Sequence, residues 1–191
     1  MNLAHPSRRQ WIIGTAAAAA ALTPLRDAVA QTARSGGDWL AMIKTHHALV
    51  AKTLDEMVAS NKVTYARRAR MQRTLAYQLT AHSVAEENVI YPAMAMNGLV
   101  TESDKLYLDQ AHAKVINAQI EMTNAKDEAA WFDKVRTLQA TVLKHAKEDE
   151  EGNLYPKLKQ MLDGPTNALL TKAYAREFAS VEADRSLLVP V

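Results

Sequence analysis

The sequence contains no cysteine among its 191 residues. Disulfides, iron–sulfur clusters and thiolate zinc sites are therefore excluded, and any metal must be held by His, Asp, Glu or Tyr side chains. Glycine and proline number only six each, which is too few for a chain built of many tight turns. Because alanine, leucine, lysine, glutamate and methionine are plentiful, the composition favours helices and argues against an all-β sandwich.

An excess of charge of one sign is also missing. The formal net charge is +2, from 23 basic and 21 acidic residues. The first 30 residues hold Arg8, Arg9, Arg26 and Asp27, so the remainder of the chain has 20 basic and 20 acidic residues. A net charge near zero provides no general electrostatic attraction for nucleic acid, and we expect no nucleic-acid partner.

Residues 1–30 have the layout of a cleaved export signal. A basic start is followed by an apolar stretch from Trp11 to Leu22 and then by Ala28-Val29-Ala30, which predicts cleavage after Ala30. The apolar stretch is shorter than the ~20 residues that span a bilayer, so we expect no stable membrane anchor.

The beginning of this segment is more specific. Ser7-Arg8-Arg9-Gln10-Trp11-Ile12-Ile13 resembles the twin-arginine export consensus, in which paired arginines precede an apolar pair. The resemblance implies that the twin-arginine translocase carries the folded protein, already loaded with any cofactor, across a bacterial inner membrane. It predicts a periplasmic location for the mature chain, which would begin at Gln31.

The mature chain is predicted to be a short linker followed by helices. Residues 31–37 are small and polar, and an amphipathic helical pattern begins at Asp38. Four long helical stretches separated by short polar breaks predict an all-α fold, an up-down-up-down four-helix bundle over residues 38–162. Asp163-Gly164-Pro165 ends the fourth helix, and residues 163–191 are predicted to form an extra C-terminal helix and a tail.

Each of the four bundle helices carries one histidine position, which is His46 or His47, then His82, His112 and His145. His82 follows His47 by 35 residues, and His145 follows His112 by 33. These intervals are close to the length of one helix plus its return. In antiparallel helices, the histidines would therefore lie at comparable heights.

Carboxylates follow two of these histidines. Glu86 lies four residues after His82, so both side chains can reach one site on a helix face. After His145, Asp149 lies four residues on and Glu150 lies five, and the longer spacing requires a long side chain or a locally widened helix. Glu86 and Glu150 hold equivalent positions, each five residues before the tyrosine of a tyrosine–proline pair.

These residue types suit a pair of metal ions. Imidazole nitrogens bind iron, zinc or copper, while a carboxylate can bridge two ions and neutralise part of their charge. Four histidines and two carboxylates are too many ligands for one tetrahedral zinc ion. They are a natural set for two octahedral irons that keep positions open for a small ligand.

One known family has this pattern of ligands. The sequence resembles the hemerythrin-like, HHE cation-binding family, over about residues 38–160. The residues that carry the resemblance are His47, His82, Glu86, His112, His145 and Glu150. The resemblance implies an up-down four-helix bundle with two non-haem irons, oxo- or hydroxo-bridged, that bind dioxygen. It also implies that the two glutamates bridge the irons and that the four histidines are terminal ligands.

The same resemblance bears on the alternative ligands. Apolar spacing after the family's first ligand favours His47 over His46. The five-residue spacing on its last ligand helix favours Glu150 over Asp149. Oxygen-carrying members have a second histidine on the third helix, at the position that is Ile116 here. The sequence therefore resembles the branch with four histidines, in which one iron is expected to be less saturated.

The expected function is that of a periplasmic diiron protein that binds or senses dioxygen or another small oxidant. Two alternatives use the same residues. One is a diiron oxidoreductase, either a ferroxidase or a peroxide-consuming enzyme. The other is a protein that handles iron or zinc without redox chemistry.

Overall fold

In a computed structural model, the described residues are 37–124 and 126–183, and they contain seven α-helices and two π-helical segments. The predicted signal peptide, most of the predicted linker and the predicted tail lie outside these ranges. The α-helices are α1 (Trp39–Val58), α2 (Tyr65–Ala85), α3 (Tyr91–Met96), α4 (Val100–Glu121), α5 (Glu128–Lys144), α6 (Tyr155–Met161) and α7 (Gly164–Ala183). The first π segment (Glu86–Ile90) joins α2 to α3, and the second π segment (His145–Leu154) joins α5 to α6.

Four helical rods form the bundle. The second rod is α2 continued through the first π segment into α3, and the fourth is α5 continued through the second π segment into α6. The rod α1 packs against α2 and α5, while α4 packs against α2, α3 and α5. The last helix, α7, packs on α1, α2 and the first π segment. The predicted all-α bundle with an extra C-terminal helix is thus confirmed, and the described residues contain no strand.

Helix ends follow local chemistry. The side chains of Asp38, Thr64 and Asp127 each accept a backbone N–H three residues further on, at the starts of α1, α2 and α5. After α3, Gly98 has a φ of +84°, a left-handed conformation that glycine adopts at the least cost. These signals fix where the rods begin and end, and therefore the heights at which their side chains meet.

The apolar core has two parts with a polar layer between them. On α1, Trp39 and Ile43 belong to the first part and Val50 to Met57 belong to the second. His46 and His47 lie between them, and both are buried. The core thus sandwiches a layer of polar side chains that little water reaches. None of the helices in the described ranges combines the length and apolar content needed to cross a bilayer.

Candidate metal centre

The two π segments hold the carboxylates of the candidate centre. The N–H of Tyr91 donates to the carbonyl of Glu86, and the N–H of Tyr155 donates to the carbonyl of Glu150, which is the five-residue step of a π turn. In the wider turn, Nε2 of His145 lies 3.1 Å from Oε1 of Glu150, although the two residues are five apart. The chain therefore has the local widening that this spacing requires.

Proline explains where each π segment ends. Pro92 and Pro156 lie in the first turns of α3 and α6. Proline has no N–H to donate and its ring crowds the carbonyl four residues earlier, so the helix before it relaxes by widening. The carbonyl of Glu87, five residues before Pro92, instead accepts a hydrogen bond of 2.6 Å from the Tyr107 hydroxyl. The proline of each tyrosine–proline pair is thus a feature of the sequence that causes the wide turn before it.

A glycine removes a clash inside the second π segment. A Cβ at Gly152 would lie 2.9 Å from the carbonyl oxygen of Lys147, which is a backbone atom and has little freedom to move. The second π segment has 10 residues, against five in the first. The longer segment therefore depends on a position without a side chain.

Four buried side chains form the centre. His47, His82, Glu86 and Glu150 each offer one ligand atom, and these atoms lie within 4.8 Å of one another. Nε2 of His47 is 3.0 Å from Nε2 of His82, and the latter is 3.1 Å from Oε2 of Glu86. These are the contacts of the metal-free cluster, and they place the four ligand atoms close enough together to hold an ion.

Glu150 spans the imidazoles on two sides. Its Oε2 is 3.1 Å from Nε2 of His47, while its Oε1 is 3.1 Å from Nε2 of His145. Oε2 is buried and pairs with His47, but this contact lacks the alignment of a full hydrogen bond. Buried carboxylate oxygens are nearly always fully satisfied, so an incompletely satisfied oxygen here suits a cation. A carboxylate that faces two separate imidazoles can bridge two ions.

A carboxylate lies behind each of two imidazoles. Nδ1 of His47 donates to Oε1 of Glu151 at 2.7 Å, which fixes the orientation of the ring and leaves its other nitrogen for a metal. Nδ1 of His145 lies 3.7 Å from Oδ2 of Asp109, which is an ion-pair distance, and has no hydrogen-bond partner among the described residues.

His82 has a partner of a different kind. The hydroxyl of Tyr174, on α7, lies 3.2 Å from Nδ1 of His82 and 2.8 Å from Nδ1 of His46. All three side chains are buried. The helix that follows the bundle thus reaches the back of the centre.

Two tyrosines and a glutamine bind the carboxylates. The Tyr155 hydroxyl lies 2.6 Å from Oε1 of both Glu86 and Glu150, and the Tyr91 hydroxyl donates to Oε1 of Glu150 at 2.9 Å. Nε2 of Gln110 donates to Oε2 of Glu86 at 2.6 Å. Burial, and then the charge of Glu150, raises the pKa of both phenols well above the usual range, so both stay protonated donors.

In the chain without metal, the cluster is a network of charged pairs. Burial opposes protonation of His47, but the contacts with the carboxylates of Glu150 and Glu151 outweigh it and raise the pKa of His47 to about 9. Burial also opposes protonation of His145, whose pKa is nevertheless raised by the charge of Glu150. Burial alone would raise the pKa of Glu150, yet His145 and His47 hold it well below its usual range. A metal ion must displace the protons from these histidines, so its binding releases protons.

A small cavity opens beside the cluster. Its volume is about 30 Å³, which is room for about two water-sized molecules. The rings of His47, His82 and His145 line one side. Much of the remaining wall is apolar and includes Val50, Leu79, Ala113, Val142 and Ala146. A diatomic molecule fits this space.

The third bundle helix brings no histidine to the cluster, which corrects the assignment of His112 as a ligand. His112 is exposed on α4, whereas Gln110 is buried against Glu86. Two residues correspond to about 200° around a helix, so these two side chains point in nearly opposite directions. Ile116, one turn after His112, is buried in the apolar core.

The two alternative ligands lie beside the cluster. His46 is buried, and burial, followed by the charge of His82, lowers the pKa of His46 well below its usual range. Asp149 forms an ion pair of 2.9 Å with Lys105 and belongs to a second, partly exposed group of possible ligands beside His145. The structure thus brings His47 and Glu150 into the centre and leaves His46 and Asp149 outside it.

Gln110 and Tyr174 are functional candidates that the sequence reasoning missed. The buried positions of α4 are Ser103, Leu106, Gln110, Ile116 and Ile120. Gln110 lies four residues after Leu106 and seven after Ser103, and this shared helix face could have revealed it. Tyr174 lies 128 residues from His46, and no local pattern reports such a contact.

Comparison with known proteins agrees with this geometry. The family model described as the hemerythrin HHE cation-binding domain matches residues 38–164, about two thirds of the chain. The matched range contains all the side chains of the cluster and ends where α7 begins. Neither a curated protein nor a solved structure matches the chain.

Proposed function

The chain belongs to the family of the hemerythrin HHE cation-binding domain, and on this basis we propose that it is a periplasmic non-haem diiron protein that binds or senses dioxygen or another small oxidant. His47 and His82 would hold one iron, and His145 would hold the other. Glu86 and Glu150 would bridge the two ions. Iron in such a site supplies reversible binding or reduction of the oxidant, and the protein supplies ligands, orientation and exclusion of water.

The observation that carries this proposal is the placement of Glu150 between two sets of imidazoles. One oxygen faces His47 and the other faces His145, each at 3.1 Å. The donor atoms of the cluster include imidazole nitrogens and carboxylate oxygens, the types that iron accepts.

The cavity supports a small ligand. It holds about 30 Å³ beside the three histidines, and much of its wall is apolar. A molecule the size of dioxygen fits, whereas an organic substrate does not.

The periplasmic location rests on the sequence. The paired arginines Arg8-Arg9 and the ending Ala28-Val29-Ala30 favour export through the twin-arginine translocase. That route carries folded proteins, so it suits a buried centre that must be loaded before export.

A diiron oxidoreductase, a ferroxidase or a peroxide-consuming enzyme, is the second candidate, because the centre is short of imidazoles. The third helix supplies Gln110 and Asp109 near His145, and its own histidine, His112, points away. One ion would therefore keep more open positions than a carrier of dioxygen needs. Turnover of ferrous iron or of peroxide would favour this candidate over reversible binding.

The first test is the metal content and the optical spectrum of protein exported by its own signal. We expect two irons per chain and near-ultraviolet bands from a bridged pair. Zinc alone would instead support metal handling without redox chemistry. The Glu86→Ala variant should lose iron, because the remaining carboxylate compensates two close cations poorly. His112→Ala is the matched control and should keep iron at the wild-type level. Full iron retention in Glu86→Ala would overturn the proposed ligand set.

A further inference from the structure

The helix α7 lies almost wholly outside the range that the family model matches, yet it touches the centre. Its buried face presents Leu170, Tyr174 and Phe178, one per turn, to the bundle. Phe178 lies against the ring of His46, with 4.0 Å between ring centroids. The face is therefore packed directly behind the histidine layer.

We propose that Tyr174 is a positioning residue that fixes which nitrogen of His82 faces the metal centre. This inference rests on the proposed metal site. The phenol oxygen lies 3.2 Å from Nδ1 of His82 and 2.8 Å from Nδ1 of His46. Nε2 of His82 faces the cluster, 3.0 Å from Nε2 of His47. Tyr174 thus stands directly behind a ligand, on the side away from the ions.

Hydrogen-bond accounting favours one direction along this chain of groups, the one that leaves the fewest groups without a partner. If Nε2 of His82 binds an ion, the ring carries its proton on Nδ1, and that N–H donates to the phenol oxygen. A phenol has one proton, which then points to Nδ1 of His46 as the acceptor. His46 must in turn carry its proton on Nε2, which has no partner among the described residues. The proton positions on all three groups are therefore linked.

The partner of His82 differs from those of the other two histidines. His47 donates a hydrogen bond to the carboxylate of Glu151, and the carboxylate of Asp109 lies 3.7 Å from Nδ1 of His145. A carboxylate draws the imidazole proton toward itself and makes the other nitrogen a stronger donor, whereas a phenol is neutral. The metal would therefore meet two imidazoles backed by carboxylates and one, His82, backed by a neutral phenol that α7 provides.

Two variants separate this role from packing. Tyr174→Phe removes one oxygen atom and leaves N–H of His82 without an acceptor. Phe178→Leu, on the same face of α7, removes aromatic packing but no hydrogen bond. Loss of an outer partner of a histidine ligand typically lowers metal affinity by about 10- to 100-fold, and we expect that loss in Tyr174→Phe. Phe178→Leu should keep wild-type affinity for Zn²⁺, measured by competition with a chromophoric chelator.

A second measurement needs no variant. In wild-type protein loaded with Zn²⁺, ¹⁵N NMR of the histidine rings should show His82 protonated on Nδ1 and His46 protonated on Nε2. Protonation of His46 on Nδ1, or equal Zn²⁺ affinities for Tyr174→Phe and Phe178→Leu, would overturn the role of Tyr174 while leaving the metal site intact. A wild-type chain that takes up no metal would overturn both this inference and the proposed function.

Discussion

The two histidines that precede Glu86 and Glu150 along the chain lie in opposite surroundings. Behind His82 are the buried rings of Tyr174 and His46. Behind His145 are Asp109 and Asp149, whose side chains are 34% and 25% exposed and which share an ion pair with Lys105. One side of the centre is dry and aromatic, and the other is charged and open to water.

This difference indicates how each ligand is held. In the dry surroundings of His82, a hydrogen bond is strong, and leaving it unmade is costly. Near the surface, the attraction between His145 and the acids is weakened by water and by dissolved salt. Packing and buried hydrogen bonds should therefore hold the ring of His82 in place, whereas electrostatic attraction should hold the ring of His145.

The largest effect is expected where the two sides are joined, at Glu150. Glu150→Gln replaces the carboxylate that faces both His47 and His145 with a neutral amide. We expect metal affinity to fall by more than about 100-fold, since loss of an outer partner alone costs about 10- to 100-fold. Glu148→Gln, an exposed position of the same π segment, is the matched control. Isothermal titration with Fe²⁺ under anaerobic conditions would measure both, and equal affinities would contradict the bridging role.

The second prediction concerns the part of the centre around His145 and tests the backbone of the second π segment. Gly152→Ala places a Cβ within 2.9 Å of the Lys147 carbonyl and should distort the second π segment but not the first. We expect a loss of about 1–3 kcal/mol in the free energy of unfolding. At Gly164 a Cβ would meet no atom within 4 Å, so Gly164→Ala should not destabilise the protein. Urea denaturation of both variants checks this. Similar unfolding midpoints for the two variants would show that a Cβ at position 152 causes no strain.

The third prediction concerns His47, which contacts both carboxylates of the centre. Its pKa is raised from 6.5 to about 9, so in the metal-free protein its charge stabilises the fold fully below pH 6.5. That stabilisation is lost as the pH rises through about 9. The free energy of unfolding should therefore fall between pH 7 and pH 10 in the metal-free form. Zinc-loaded protein, in which the metal has already displaced the proton, should lack this slope. If the free energy of unfolding of the metal-free protein did not change with pH in this range, the charged pairs between His47 and the carboxylates would be contradicted.

The smallest effect is expected at Asp109. Its carboxylate lies 3.7 Å from Nδ1 of His145 and is also paired with Lys105. Asp109→Asn should lower metal affinity by about tenfold or less, and the difference should shrink at high salt because the side chain is partly exposed. Tyr174→Phe acts in a dry site and should lose the same affinity at any salt concentration. Zn²⁺ affinities of both variants at two ionic strengths test this. An equal response to salt would contradict the proposed difference between the surroundings of His82 and those of His145.

Much of the fold could be predicted from the sequence because its signals are local. Asp38 and Asp127 start helices by accepting backbone N–H groups, and Gly98 ends one through its positive φ. The five-residue step from His145 to Glu150 likewise indicates a widened turn, which the second π segment supplies. Each of these features depends on neighbours within a few residues.

Helix α4, the third rod of the bundle, shows where prediction from local signals fails. Leu108 and Val115 on α4 and Met122 just after it are apolar but 71%, 54% and 76% exposed. Apolar residues on the outer face hide the true inward face, so the sequence did not reveal that His112 points outward. Tyr174 was missed for another reason, since its partners lie far away in the chain and only tertiary packing joins them.

The contacts between the first helix, α1, and the last helix, α7, have a consequence for the order in which the protein folds. Trp39 is held by α7 through two hydrogen bonds, from its N–H to Thr171 at 3.0 Å and from Nε1 to Asn167 at 2.9 Å. Synthesis on the ribosome proceeds from the N terminus, so every ligand of the centre leaves the exit tunnel before Tyr174 does. The growing chain therefore passes through a stage in which Nδ1 of His82 lacks its hydrogen-bond partner Tyr174, and these surroundings are completed only when α7 docks.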